Sequence, residues 1–210
     1  IGSNFVKGTP AVSGTYTTDS TFDIDNWSIL TAQATVGQNL GKTGAVSGTY
    51  TTTATNIDAD WGIIKATQTI GQNLGKTGAV TGSYTTDTTN DEDWGILQDQ
   101  VTTGENRGKT GAVTGTYTTT ATSVDTYWGI ITATQTAGQN LGKTGAVTGT
   151  YTTNTANDDI WGILKTQTTT GQNLGKTGAV TGNYTTNATN VDEDWGIILA
   201  TQTTGQNLGK

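Results

Sequence analysis

Several residue types are missing from this chain, and each absence excludes a class of chemistry. The 210 residues include no cysteine, no histidine and no methionine, and only one proline. Without cysteine there is no disulfide and no thiol nucleophile, and without histidine the usual acyl-transfer triads cannot be built. Hydrophobic residues make up only 31% of the chain, which is low for a compact globule. Because no apolar run approaches the roughly 20 residues of a membrane helix, we expect no membrane span.

Threonine and glycine take the place of the missing apolar residues. The chain has 52 threonines and 30 glycines. Threonine favours strands, and glycine favours the tight turns between them. Low hydrophobicity with a net charge of −7 is also typical of disorder, but the regular repeat described next argues against it. A chain this acidic is not expected to bind nucleic acid, because phosphate binding needs a basic surface.

A five-residue motif at positions 60–64, Asp-Trp-Gly-Ile-Ile, recurs with variations six times. Its tryptophans are Trp27, Trp61, Trp94, Trp128, Trp161 and Trp195. The tyrosines that accompany them are Tyr16, Tyr50, Tyr84, Tyr117, Tyr151 and Tyr184. Each tryptophan is followed by the next tyrosine after 23 positions, whereas tyrosine to tryptophan takes 10 or 11. The repeat is therefore 33–34 residues long, and we predict that one loop absorbs the variation.

The repeats also alternate, so that a pair of them forms a larger unit of 67 residues (27 to 94, 94 to 161) that occurs three times. We predict an all-β tandem array in residues 13–210, preceded by an N-terminal cap or joining strand in residues 1–12. Each repeat offers two strands, for example 44–52 and 61–69, and no window has a helical period. Periods of this length are typical of solenoids and propellers. We favour a β-solenoid over a six-bladed β-propeller, since 33–34 residues are short for a four-stranded blade.

Two kinds of loop separate the strands, and they differ in charge. The loop before each tryptophan is acidic, and together these loops hold 13 of the 17 acidic residues: Asp23, Asp25, Asp58, Asp60, Asp91, Glu92, Asp93, Asp125, Asp158, Asp159, Asp192, Glu193 and Asp194. The other loop, 71–78 and its copies, holds 7 of the 10 basic residues: Lys7, Lys42, Lys76, Lys109, Lys143, Lys176 and Lys210. The array is therefore predicted to have an acidic edge and a basic edge.

The acidic loops are also candidate calcium sites, because calcium takes six to eight oxygen ligands. The richest loops contain Asp91, Glu92, Asp93, Asp192, Glu193 and Asp194. Asp125 stands nearly alone in its loop, so the six repeats share no uniform ligand set. We favour solvated surface charge, with calcium as the alternative, and we expect no other cofactor.

The tryptophans and tyrosines are predicted to be structural core. Each tryptophan precedes Gly-Ile-Ile or a close variant, in the most apolar part of the repeat. The alternative is that the indole faces are sugar-binding platforms. Residues 2–7 and 205–210 are copies of one joint, and neither end carries the charged covering that usually blunts a sheet edge. We therefore assign Phe5, Pro10 and Leu208 to self-assembly.

The string of Asp or Asn, an aromatic residue, Gly and Ile resembles the short tandem repeats of marine phage and cyanobacterial structural proteins. It covers 60–63, 93–96 and 194–197, and it departs from the pattern at Ser28, Tyr127 and Ile160. The resemblance implies a virion or surface fibre and no known catalytic residue.

These observations predict a non-enzymatic structural protein, an extracellular or virion-surface fibre or filament that assembles head to tail with copies of itself. A sixfold array of similar sites is typical of binding or assembly rather than of a single active site. One alternative is a repeat lectin, a propeller that binds surface glycans. A lesser alternative is an ice-binding β-solenoid with ranks of threonine, although Gln33, Gln100 and Gln167 interrupt the rank.

Overall fold

The computed structural model describes residues 1–5 and 11–208, which form one sheet of thirteen antiparallel strands. The strands are β1 Gly2–Phe5, β2 Val12–Asp23, β3 Ile29–Leu40, β4 Val46–Ile57, β5 Ile64–Leu74, β6 Val80–Asn90, β7 Leu97–Arg107, β8 Val113–Asp125, β9 Ile130–Leu141, β10 Val147–Asn157, β11 Leu164–Leu174, β12 Val180–Val191 and β13 Ile198–Asn207. Their order in the sheet is their order in the chain, so each strand pairs only with its sequence neighbours.

The prediction of an all-β tandem array is confirmed. The sheet is open and does not curl back on itself, so it has the linear character of the favoured solenoid-like array and not the closure of a propeller. Each repeat supplies two strands, joined to each other and to the next repeat by hairpins. Because contacts run only between neighbouring strands, the energy of the fold is a sum of nearest-neighbour terms.

The array has a single layer, and this decides what is buried. In the part of the chain that the structure describes, no hydrophobic or polar side chain is buried, and the buried positions are glycines such as Gly71 and Gly82. The prediction that the tryptophans form a core is wrong. They are 94%, 81%, 81%, 80%, 79% and 59% exposed, at Trp27, Trp61, Trp94, Trp128, Trp161 and Trp195. A single sheet offers no second layer against which these indoles could pack.

The tyrosines are only partly covered. Tyr50, Tyr84, Tyr117, Tyr151 and Tyr184 are half-buried, and Tyr16 near the edge of the sheet is 36% exposed. They pack on the sheet surface rather than in an enclosed core.

From the second repeat onward, the one-residue variation between repeats lies in a strand rather than in a loop. Strands β4, β8 and β12 each contain an extra residue that has no partner across the strand pair, at Thr55, Thr122 and Thr189. Strands β6 and β10 have no extra residue at this place, and their pairs run on without a gap from Thr88 to Thr89 and from Thr155 to Ala156. A β-bulge thus absorbs the extra residue without moving the turn, which accounts for the 67-residue pair of repeats.

The strands are also longer than the sequence predicts. The stretch expected to be a loop, 71–78, continues β5 up to Leu74, and the strand predicted at 61–69 begins at Ile64. Gly71 is not a corner, because it lies in register opposite Tyr84. Only residues 75–79 form the turn.

Candidate functional site

The strand ends form two margins of opposite charge, as the sequence predicts. We call acidic margin the row of turns at residues 24–28, 58–63, 91–96, 126–129, 158–163 and 192–197, which contains all six tryptophans. We call basic margin the row of turns at 41–45, 75–79, 108–112, 142–146 and 175–179, which carries five lysines at the opposite ends of the strands. Hairpins in a meander alternate between the two ends, so the acidic turns and the lysine turns lie at opposite ends of the strands.

A carboxylate organises each regular turn of the acidic margin. The Asp58 side chain accepts hydrogen bonds from the backbone N–H groups of Asp60 and Trp61, both at 2.9 Å. Across the turn the Asp58 N–H donates to the Ile63 carbonyl at 2.8 Å, and the Gly62 N–H donates to the Asp58 carbonyl at 2.9 Å. Equivalent carboxylates in the other turns are Asp91, Asp125, Asp158 and Asp192. In these five turns the aspartate three residues before the tryptophan is therefore a turn-forming residue.

These hydrogen bonds shift the titration of two of the carboxylates. The N–H groups of Trp61 and then Asp60 lower the pKa of Asp58, and Lys65 at 3.4 Å acts in the same direction. The N–H groups of Trp161 and then Ile160 lower the pKa of Asp158, again with a lysine, Lys165, at 3.3 Å. Both groups therefore stay ionised to a lower pH than an ordinary aspartate, because the oriented backbone N–H groups stabilise the negative charge.

The glycine of the motif allows neighbouring turns to stack. Gly62 has φ of +69°, and a Cβ there would lie 2.9 Å from the Leu30 backbone nitrogen and 3.3 Å from the Ile29 side chain. The same contact recurs along the margin, where Gly95 lies against Ile63 and Gly129 against Ile96. Each of these glycines therefore lies against the isoleucine two positions after the preceding tryptophan.

The first turn of the acidic margin departs from this geometry where the sequence departs from the motif. Ser28 replaces the glycine, and both Trp27 and Ser28 adopt positive φ, +56° and +57°. Residues other than glycine rarely adopt this backbone conformation. Asp23 lies four residues before Trp27, whereas Asp58 lies three residues before Trp61. The Asp23 side chain accepts a hydrogen bond from the Asp25 N–H at 3.2 Å. Trp27 is the most exposed of the six indoles.

The turns of the basic margin are tight and present their lysines to solvent. In the turn at 41–45 the Gly41 N–H donates to the Ala45 carbonyl at 2.8 Å, and the Gly44 N–H donates to the Gly41 carbonyl at 2.9 Å. Gly44 closes the turn at φ +79°. This is the three-residue hairpin with glycine in the left-handed position. All five lysines are exposed: Lys42, Lys76, Lys109, Lys143 and Lys176.

A row of alternating tyrosine and glycine crosses one face of the sheet. We call β1 and the other odd-numbered strands Gly strands, and the even-numbered strands Tyr strands. Each tyrosine is in register with a glycine on both sides, as Tyr84 is with Gly71 and Gly104. The ring lies over the glycine of the preceding strand, so that a Cβ on Gly71 would be 2.3 Å from Tyr84 Cζ. The glycines are thus the sites where the tyrosine rings pack.

A row of threonines lies on the same face, beside the tyrosine row. It runs without interruption through twelve strands: Thr18, Thr35, Thr52, Thr69, Thr86, Thr102, Thr119, Thr136, Thr153, Thr169, Thr186 and Thr203. The hydroxyls form couples, for example Thr52 with Thr69 and Thr119 with Thr136, each at 2.8 Å. Gln33, Gln100 and Gln167 do not interrupt this threonine row, because they lie two residues away, in the neighbouring row of the same face.

The candidate calcium loops are not arranged as metal sites. In the part of the chain that the structure describes, no group of three acidic residues could hold a metal ion. Asp91 and Asp192 direct an oxygen at backbone N–H groups, and Glu92, Asp93, Glu193 and Asp194 are exposed. Neighbouring acidic turns are also separated by two strand spacings, about 9.6 Å, rather than one.

The residues assigned to assembly lie at the two edges of the sheet. Phe5 is 62% exposed and pairs with Val12 as Leu74 pairs with Val80, so it occupies the place of that leucine as expected. Leu208 is 44% exposed, and its N–H donates to the Thr181 carbonyl at 2.8 Å. Pro10 lies outside the described residues.

Comparisons with known proteins yield no relative. No protein-family model, curated protein sequence or solved structure matches this chain. Within residues 1–5 and 11–208, no helix is long and apolar enough to cross a membrane.

Proposed function

We propose that this protein is a non-enzymatic structural element, a subunit or segment of an extracellular fibre or filament on a virion or cell surface. The observation that supports it most is the linear order of the sheet, in which each of the thirteen strands of the described residues pairs only with its chain neighbours. Such a sheet lengthens by one repeat at a time without any change in the repeats already present. A fibre uses this property, and an active site does not.

The absence of an apolar interior supports the same proposal. No side chain in the described part of the chain is buried, so the order of the sheet comes from backbone ladders and from cross-strand pairs such as the threonine couples. Each such pair contributes roughly 0.2–1 kcal/mol. Additional strands at either edge would add such pairs, so extension of the sheet is favourable.

The edges of the sheet define how copies would join head to tail. Both β1 and β13 are Gly strands, with Gly2 opposite Tyr16 and Gly205 opposite Tyr184. They also run in the same direction, so their direct pairing would be parallel and would place glycine beside glycine. The glycine of β13 has no tyrosine of a following strand over it in the described part of the chain. In the contact that we propose, β2 of the incoming copy displaces its own β1 and covers Gly205 with Tyr16.

Electron microscopy and light scattering of the purified protein test this function. In 1 M salt, where attraction between charged surfaces is screened, we expect filaments whose width is one strand length, about 35–45 Å for 10–13 residues. Tyr16→Ala should shorten the filaments more than Tyr117→Ala, although Tyr117 lies at the centre of the sheet, because only Tyr16 is at the junction. A monodisperse monomer at high concentration, with no filaments, would overturn the proposal.

The exposure of the tryptophans favours a second candidate function, glycan binding. An exposed indole is a stacking surface for a sugar ring, and the acidic margin has six of them. The closed propeller on which the lectin alternative depended is absent, so the ligand would be a linear glycan lying along the margin. The ice-binding alternative is weaker, because the threonine hydroxyls of the unbroken row form hydrogen bonds with one another.

The glycan candidate is tested by titrating soluble β-linked oligosaccharides while tryptophan emission is recorded. Saturable quenching that is lost in a variant with Trp61, Trp94, Trp128 and Trp161 changed to Ser would support it. No change in emission at any concentration would exclude it.

A further inference from the structure

We propose that the acidic margin of one copy docks against the basic margin of a second copy, with each lysine turn seated between two tryptophan turns. This inference goes beyond filament growth, because it concerns contacts along the strand axis rather than across the sheet. It rests on charge, on the spacing of the turns and on the exposure of the side chains at both margins.

The two margins have the same period. Successive turns within each margin are separated by two strands, since the hairpins alternate between the two ends of the sheet. With strands about 4.8 Å apart, both rows repeat every ~9.6 Å. A contact made by one turn can therefore be repeated by all the others in the row.

The two margins are also offset by one strand. Turns of the acidic margin join β2 to β3, β4 to β5 and so on, whereas turns of the basic margin join β3 to β4, β5 to β6 and so on. If a second copy is translated along the strand axis, each of its lysine turns faces the gap between two tryptophan turns. The five turns of the basic margin fit the five gaps between the six turns of the acidic margin.

The side chains that would meet carry complementary chemistry. Lys76 and Lys109 are exposed, and in the described part of the chain no carboxylate lies within ion-pair distance of them. The gap that would receive each lysine is bordered by two exposed indoles, for example Trp61 and Trp94, and by free carboxylates such as Asp93. An ammonium group is attracted both by a carboxylate and by the face of an indole.

The contact is heterologous, because it joins two different surfaces of the same protein. A heterologous contact between copies related by translation does not close, so it extends filaments sideways into a wider sheet. It needs neither β1 nor β13, and it therefore stands whether or not the sheet grows at its edges.

The test uses two variants of the full chain, each of which lacks the interacting side chains of one margin. In the first, Lys42, Lys76, Lys109, Lys143 and Lys176 are changed to Gln. In the second, Trp61, Trp94, Trp128 and Trp161 are changed to Ser, and the aspartates that form the turns are left in place. Circular dichroism checks that both variants keep the strand content of the parent. Association is followed by analytical ultracentrifugation, and the environment of the indoles by their emission wavelength.

We expect the parent to associate with a blue shift of its emission, and association to weaken by about tenfold or more between 0.1 and 1 M salt as the charges are screened. Neither variant alone should associate along the strand axis. In a 1:1 mixture, one copy of each variant should pair side by side across one margin contact and add no third copy along the strand axis, because the first variant supplies the acidic margin and the second supplies the basic margin. A variant that was merely misfolded would not restore association.

Several outcomes would overturn the proposal. These are a parent that stays monomeric, association that is insensitive to salt, single variants that associate like the parent, and a mixture in which the two variants do not pair across the margins. Filaments that keep the width of one strand length under all conditions would support the fibre function and contradict the margin contact. Blue-shifted emission only on addition of a soluble oligosaccharide would assign the tryptophans to a glycan.

Discussion

At the scale of single residues, the aromatic side chains fall into two groups with different roles. Tyr117 is half-buried over Gly104, where an added Cβ would lie 2.4 Å from its ring. Trp128 is 80% exposed and contributes its backbone N–H to the turn rather than its ring. Size and hydrophobicity alone would rank the tryptophan as the more important of the two for stability.

The first prediction follows from this difference. Tyr117→Ala should reduce the free energy of unfolding by about 1–2 kcal/mol, less than the ~3–5 kcal/mol of a fully buried aromatic residue, because only part of its ring is covered. Trp128→Ala should change it by no more than about 0.5 kcal/mol. Tyr127→Ala is the matched control, since Tyr127 is 84% exposed in the same turn as Trp128. Urea unfolding measures all three, and a Trp128 variant less stable than the Tyr117 variant would contradict the structure.

The second prediction concerns pH. Backbone N–H groups lower the pKa of Asp58 and Asp158 in the folded state, so these carboxylates stabilise the fold above their ordinary pKa and lose that contribution as pH falls through the lowered value. Burial and the neighbouring tyrosines raise the pKa of Tyr117, and burial with Tyr184 raises the pKa of Tyr151. Their contribution is present below about pH 10 and is lost above it. The melting temperature should therefore fall below about pH 4 and above about pH 10.

Two double variants separate the turn-forming carboxylates from their exposed neighbours. Asp58→Asn with Asp158→Asn should flatten the acid side of the melting profile. Asp60→Asn with Asp159→Asn, in the same two turns, should leave it as it is. Equal acid profiles in both double variants would show that the hydrogen bonds to Asp58 and Asp158 do not control the pH response.

At the scale of the strand, the bulge explains how repeats of unequal length fit one sheet. The pairs on either side of Thr122, Ala121 with Thr134 and Ser123 with Ala133, would keep their partners if Thr122 were absent. In β10 there is no spare residue between Tyr151 and Ala156, and Thr155 is in register with both Thr134 and Gln167. The two strands therefore differ in their tolerance of a deletion.

The third prediction is that deletion of Thr122 costs less stability than deletion of Thr155. Loss of the bulge residue leaves the alternation of side chains across the sheet intact, whereas loss of Thr155 moves the following residues to the opposite face. Thermal unfolding of the two deletion variants checks this. Equal destabilisation would show that the register around Thr122 is not as described.

The sequence predicts the strands and turns well, because their signals are local. Gly-Lys-Thr-Gly specifies a three-residue hairpin, and Asp three residues before Trp-Gly specifies the other turn, so the number of repeats and the two charged margins follow from the pattern. The role of Gly71 does not follow. A glycine inside a Thr-rich stretch is read as a corner, and only the register shows that Tyr84 covers it.

The exposure of the tryptophans could not be predicted either, because burial depends on the number of layers in the fold. The apolar neighbours of Trp61 and Trp94 indicate a core if a second layer is assumed. In a single sheet, Ile63 instead contacts the glycine of the next turn, and the indoles remain at the surface. That all six tryptophans are exposed can be inferred only once the sheet is known to be open.

At the scale of the whole molecule, stability should vary from strand to strand. Central strands have a partner on each side that is itself paired, whereas β13 is covered on one side only in the described part of the chain. In a linear array, opening begins at the ends and moves inward.

The fourth prediction is a gradient of hydrogen exchange across the sheet. Backbone amides of β7 should exchange most slowly, and protection should decrease strand by strand towards β2 and β13. Exchange measured by NMR or by mass spectrometry on peptides from each strand provides the profile. Uniform protection in all strands would indicate a single cooperative core, which a one-layer sheet does not have.

The central claim is that this chain forms an open sheet one layer thick, and small-angle X-ray scattering of the monomer tests it most directly. The measurement is made on dilute protein in high salt, so that contacts between the margins are screened. A compact globule of 210 residues would have a radius of gyration of about 17 Å. Thirteen strands at ~4.8 Å spacing extend over roughly 60 Å, so we expect a clearly larger radius of gyration and a flat cross-section about 10 Å thick. A radius near 17 Å with a globular cross-section would contradict it.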